Sequence, residues 1–120
     1  MAVDLTVEQM VKHIHHAIED KLGKDTIVLN IGKITTLADY FVITSGGSPR
    51  QIKAIADSVE DEMTKYNLEP RGKEGMDTQE WILLDYGDIM VHIFSEANRD
   101  FYNLEKLWRD APIVDVDTLE

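Results

Sequence analysis

The chain has 120 residues, with 12 Lys and Arg against 23 Asp and Glu, a formal net charge of −11 and no Cys. That length suits one domain with a self-sufficient core, and the missing thiols exclude disulfides, thiolate metal sites and Cys nucleophiles. The acidic excess argues against a face that neutralises nucleic-acid phosphates and favours a partner with a basic surface.

The longest apolar runs, 40–43 and 81–84, are four residues. A membrane span needs about 20 and a signal peptide about 7, so no membrane contact and a cytoplasmic location are expected. In chain order, Thr6 and Gln9 form a T-x-x-Q capping box that opens a first helix. Val7, Met10, Val11, Ile14, Ala17, Ile18 and Leu22 give it one apolar stripe, and Gly23 is the expected stop. Residues 25–31 alternate as a strand, and 38–44 form a second strand, apolar on both faces.

Gly46-Gly47 ends that strand, Ser48 is the expected N-cap, Pro49 fits the first helical position and Gln51 sits three after the cap. Ile52, Ile55, Ala56, Val59, Met63 and Tyr66 make a second helical stripe, which Asn67 can close. The unit from Tyr40 to Leu68 is a candidate right-handed crossover. Residues 68–73 contain Pro70 and read as an edge piece. Residues 80–85 and 88–94 form a hairpin turned at Tyr86-Gly87. A third helix over about 98–108 spaces Phe101, Leu104, Leu107 and Trp108 for burial. From Pro112 onward no period is evident, so 1–111 reads as the domain and 112–120 as a loose acidic tail. The result is an α/β domain with a mixed sheet of about five strands and three helices.

The hairpin has two unlike faces. A Tyr86-Gly87 turn sets Asp85 opposite Asp88, Leu83 opposite Met90 and Trp81 opposite His92. One face is then aliphatic (Ile82, Leu84, Ile89, Val91, Ile93). The other mixes Trp81, Leu83, Asp85, Asp88, Met90, His92 and Phe94, the composition of a protein interface. A helix covering that face is the competing reading, with His92 and Trp81 as core residues.

Catalytic readings fare less well. Gly46-Gly47-Ser48 before a helix resembles the opening of a nucleotidyltransferase signature, yet Asp57, Glu60, Asp61 and Glu62 fall on the second helix instead of converging at a strand end. His13, His16 and Asp20 share a helix side but lack further ligands, and a solvated face accounts for them. No G-x-S-x-G or Walker A loop is present.

Seven motifs carry a family resemblance: Ala38-Asp39-Tyr40-Phe41-Val42-Ile43, Ser48-x-x-Gln51, Ala54-Ile55-Ala56-Asp57, Glu74-Gly75, the run 81–88, Val91-His92-Ile93-Phe94, and Arg99-x-Phe101-Tyr102-x-Leu104-Glu105-x-Leu107-Trp108-x-Asp110-Ala111. In order and spacing over about 5–111 they resemble the ribosomal silencing factor family, RsfS or Iojap-like. The resemblance implies a nucleotidyltransferase-like fold without catalysis or cofactor. It implies docking on the large ribosomal subunit at the ribosomal protein L-fourteen, a steric block of subunit joining, translational repression when nutrients are short, and a link to large-subunit biogenesis. It also implies a homodimer when free. The partner-binding residues expected are Asp39, Tyr40, Trp81, Leu83, Asp85, Asp88, Met90 and His92. Arg99, Tyr102 and Trp108 match the motif as binding or structural residues. The alternatives are a metal-dependent nucleotidyltransferase and a dimeric scaffold without ribosome contact.

Overall fold

A computed structural model describes residues 5–119. The elements run α1 (Val7–Asp20), β1 (Lys24–Leu29), a 3-10 turn (Ile31–Lys33), β2 (Tyr40–Gly46), α2 (Pro49–Thr64), β3 (Gly72–Glu74), β4 (Trp81–Asp85), β5 (Ile89–Ser95), α3 (Glu96–Tyr102), α4 (Leu104–Leu107) and a final 3-10 turn (Val116–Thr118). The α/β class and the five-stranded mixed sheet agree with the sequence reading. The strand order is β1-β2-β5-β4-β3, and β2–β5 is the parallel pair. The partner of β2 across the crossover is therefore β5, while the segment after α2 goes to the far edge beside β4.

Helix starts follow their caps. The Thr6 hydroxyl accepts from the Gln9 N–H at 3.1 Å and the Gln9 side chain accepts from the Thr6 N–H at 3.0 Å. The Ser48 hydroxyl accepts from the Gln51 N–H at 3.1 Å, with Pro49 in the first turn. The end of α1 differs from expectation. Leu22 takes the left-handed conformation (φ 59°) and is 77% exposed, outside the stripe assigned to it. Gly23 is needed for space instead: a Cβ there would lie 2.3 Å from Ile18 Cγ2.

The main core lies between one sheet face and both long helices. Val28, Tyr40, Val42, Ile82, Leu84, Ile89, Val91 and Ile93 meet Val11, Ile14 and Ile18 of α1 and Ile52, Ile55, Val59 and Met63 of α2. A smaller cluster occupies the reverse face, built from Leu29, Ile31, Ala38, Phe41, Ile43, Phe94, Leu104 and Ala111.

The third helical segment is broken. Asn103 turns left-handed (φ 48°) and its side chain caps the Lys106 N–H. Leu104 is buried by this geometry, but Phe101 and Leu107 point to solvent, against the burial spacing expected of them.

The stretch after Pro112 is docked on the sheet edge. The Val114 N–H donates to the Val28 carbonyl at 2.8 Å and the Asn30 N–H to the Pro112 carbonyl at 2.9 Å. Val114, Val116 and Leu119 pack on the main core, and Lys12 Nζ reaches the Leu119 carbonyl at 3.1 Å. The apolar residues spaced among its acids explain why it is not loose.

Candidate partner-binding face

The β4–β5 hairpin turns one residue later than expected. Gly87, at φ 85°, and Asp88 make the turn, and the Tyr86 N–H donates to the Ile89 carbonyl at 2.9 Å. Asp85 therefore pairs with Met90, Leu83 with His92 and Trp81 with Phe94. Moving the turn centre by one residue changes every partner by two, so each side chain keeps its face. Asp85 and Asp88 therefore do not stand opposite each other, contrary to the expected register.

The mixed face is divided along its length. At the α3 end, Trp81 stacks on Phe94 (4.8 Å between centroids) and meets Tyr102 at a tilt (4.7 Å), while Trp108 meets Phe41 edge-on at 5.5 Å. Phe94 is fully buried and His92 is 5% exposed. At the hairpin end, Leu83 and Met90 are half-buried, and Asp88 and Asp39 are exposed. The covered and open readings of this face thus each hold for one half.

Of the residues expected to bind a partner, Leu83, Met90, Asp88 and Asp39 come together at the open end. The Asp39 and Tyr40 N–H groups both donate to the Asp88 carbonyl, at 2.8 and 3.1 Å, which holds the turn against the start of β2. No ion pair among the described residues involves Asp39 or Asp88. Asp85 is half-buried and engaged locally: it accepts from the Gly87 N–H at 2.8 Å and meets Arg71 at 3.3 Å.

Tyr40 projects to the opposite layer. Strand alternation places its ring in the main core, where its hydroxyl donates to Glu8 at 3.1 Å. Burial and the Glu8 carboxylate raise its pKa. His92 is buried beside Trp81, whose indole N–H donates to His92 Nδ1 at 3.1 Å. Burial lowers the imidazole pKa to about 4. Trp81 and His92 are thus packing residues first.

Arg99 is built into the fold. β1 bulges between Lys24 and Ile27, with Asp25 at φ 49°, and Arg99 meets the carbonyls of Lys24 and Asp25 there at 3.1 and 2.6 Å. Its Nε donates to Glu105 at 2.9 Å. The guanidinium thereby joins α3 and α4 to β1.

Elsewhere, Asp57 faces solvent and pairs with Lys53 at 3.2 Å. His13 meets Glu62 at 2.9 Å and His16 meets Asp20 at 3.7 Å. The Lys65 ammonium, then the His13 hydrogen bond, hold the Glu62 carboxyl below its usual range against the opposing effect of burial. The described residues hold no group of three or more His, Asp or Glu placed to bind a metal ion. None of the described helices is long and apolar enough to cross a membrane. Sequence reasoning passed over the loop between β1 and β2, which exposes Ile34 and Leu37 beside Asp39. Two large aliphatics among Gly32, Thr35 and Thr36 were the available signal.

The family model described as "Ribosomal silencing factor during starvation" matches residues 4–120. The chain belongs to the ribosomal silencing factor family. The ribosomal silencing factor RsfS of Bacillus subtilis is 42% identical over 101 residues, covering 84% of this chain and 86% of that protein. A crystal structure of a Chromobacterium violaceum protein superposes with a TM-score of 0.85 at 37% identity, covering 88% of each chain. Mouse "Mitochondrial assembly of ribosomal large subunit protein 1" is 33% identical over 89 residues, covering 72% of this chain and 39% of that protein. Ribosomal silencing factors are thus among the relatives of this chain in sequence, as is a protein named for mitochondrial assembly of the ribosomal large subunit. The match to residue 120 takes in the docked C-terminal segment.

Proposed function

We propose that the chain is a translational repressor that binds the large ribosomal subunit at its protein L-fourteen and blocks subunit joining by bulk. The observation that carries the reading is the open end of the mixed face, where half-buried Leu83 and Met90 adjoin exposed Asp39 and Asp88. An apolar centre with unpaired carboxylates at its rim fits a basic protein surface better than an RNA backbone. A chain of net charge −11 is steered to such a surface and repelled by rRNA phosphates. Blocking is steric, so the proposal needs neither turnover nor cofactor. A role in large-subunit assembly uses the same contact, and the cytoplasm is the compartment proposed for it.

A free chain pairs with a second copy under the same proposal. Exposed Phe101 and Leu107 adjoin Asp100, Lys106, Arg109 and Asp110 in one groove, a mixed-charge surface that does not repel its own copy.

The test is sedimentation of purified subunits with the chain in a sucrose gradient. Co-migration with the large subunit, weakening as salt rises, supports the reading. A chain left at the top of the gradient at low salt contradicts it.

A further inference from the structure

The β1–β2 connection is a closed loop. The Gly32 N–H donates to the Asp39 carbonyl at 3.0 Å, and the Ile34 and Thr35 N–H groups both donate to the Ile31 carbonyl at 3.0 Å. Within the loop the Leu37 N–H donates to the Thr35 hydroxyl at 3.2 Å. Ile31 and Ala38, at its two ends, are buried in the cluster on the mixed side of the sheet. Compact loops of this kind, with near ends and an internal frame, are frequent carriers of function.

Such a frame could have faced solvent with polar groups. It instead leaves Ile34 46% and Leu37 50% exposed. The loop is fastened to the hairpin turn through the Asp39 N–H to Asp88 carbonyl bond at 2.8 Å. The two aliphatics therefore stand at the same end of the sheet as Asp88 and Met90.

We infer that Ile34 and Leu37 are the apolar anchors of a second contact on the same basic protein partner, with Asp39 and Asp88 between them and the Leu83–Met90 patch. This rests on the proposed partner reading and extends it to a loop. Two observations choose this occupant: the loop is hydrogen-bonded to the proposed face, and the carboxylates at the junction form no ion pairs among the described residues, whereas the loop carries a single cation, Lys33. Because burial and backbone bonds already hold the loop, little ordering is required when it docks.

The test measures binding to purified large ribosomal subunits for the wild-type chain, for Met90→Lys and for the double variant Ile34→Ser with Leu37→Ser. Thermal unfolding accompanies each measurement. The inference expects the double variant to keep its melting temperature and to bind about tenfold or more weakly, as for loss of interface anchors. If the double variant melts early, the single variants Ile34→Thr and Leu37→Thr replace it, each expected to weaken binding several-fold. Wild-type binding with loss in Met90→Lys and no change in the loop variants overturns the loop inference alone. Absence of wild-type binding overturns the partner reading and the loop inference with it.

Discussion

The Trp81 indole N–H donates to Nδ1 of His92 at 3.1 Å, on the diagonal between β4 and β5. Accepting at Nδ1 fixes the neutral imidazole with its proton on Nε2. Nε2 is buried without a partner, so the ring carries one unsatisfied donor and has no room for a charge.

A pH-dependent stability follows, with a definite sign. The folded His92 pKa, about 4, lies below its ordinary value of 6.5. Between those values the unfolded chain binds a proton that the folded chain refuses. Stability therefore falls as pH drops from about 6.5 to about 4, by about 3 kcal/mol in all. Urea titrations across that range measure it, and His92→Phe should flatten the slope there. The lowered Glu62 carboxyl adds its own loss as pH falls below its ordinary value of 4.5, so the two effects overlap at the acid end of that range.

Tyr40 and Met90 separate the two sheet faces. Tyr40→Phe removes the bond to Glu8 and should cost about 1 kcal/mol of stability. Subunit binding should be unchanged, because that ring lies in the main core. Met90→Lys should abolish binding at a stability cost of about 1 kcal/mol, since Met90 also packs on the smaller cluster and the lysine stem replaces only part of that packing. Paired chemical denaturation and binding curves check both.

Arg99 should act on the fold alone. Arg99→Lys keeps the charge but cannot reach Lys24, Asp25 and Glu105 together with one planar fork. A loss of about 2 kcal/mol is expected in thermal or urea unfolding.

Gly75 sits at φ 80°, and a Cβ there would approach the Trp81 carbonyl to 1.9 Å. Gly75→Ala must move the start of β4 or relax the loop, at a cost of about 2 kcal/mol or more. The Trp81 fluorescence should report the displacement, since its ring is seated between Phe94 and Tyr102.

Much of this architecture was legible where local chemistry decides. Ser48, Pro49 and Gln51 mark the start of α2 because capping is settled within four residues. The division of the hairpin into two faces survived a wrong turn position because alternation has period two. Tyr40 could have been assigned to the helix side by the same alternation, since Phe41 and Ile43 lie on the other side. The break at Asn103 was not legible, because the apolar spacing of 101–108 fits an unbroken helix equally well. Docking of the C-terminal segment was hidden for another reason: its bonds reach back to Val28 and Asn30, far away in sequence. The open end of the candidate face depended on where α3 and α4 stop covering the sheet, which is a tertiary fact.

The most direct measurement of the central claim is subunit joining followed by light scattering, with the chain added in stoichiometric amount to large subunits first. Joining should fall with the wild-type chain and be restored when Asp88→Lys with Met90→Lys is added instead, the double variant still unfolding cooperatively well above the assay temperature. Joining unaffected by the wild-type chain, or blocked equally by the double variant, contradicts it.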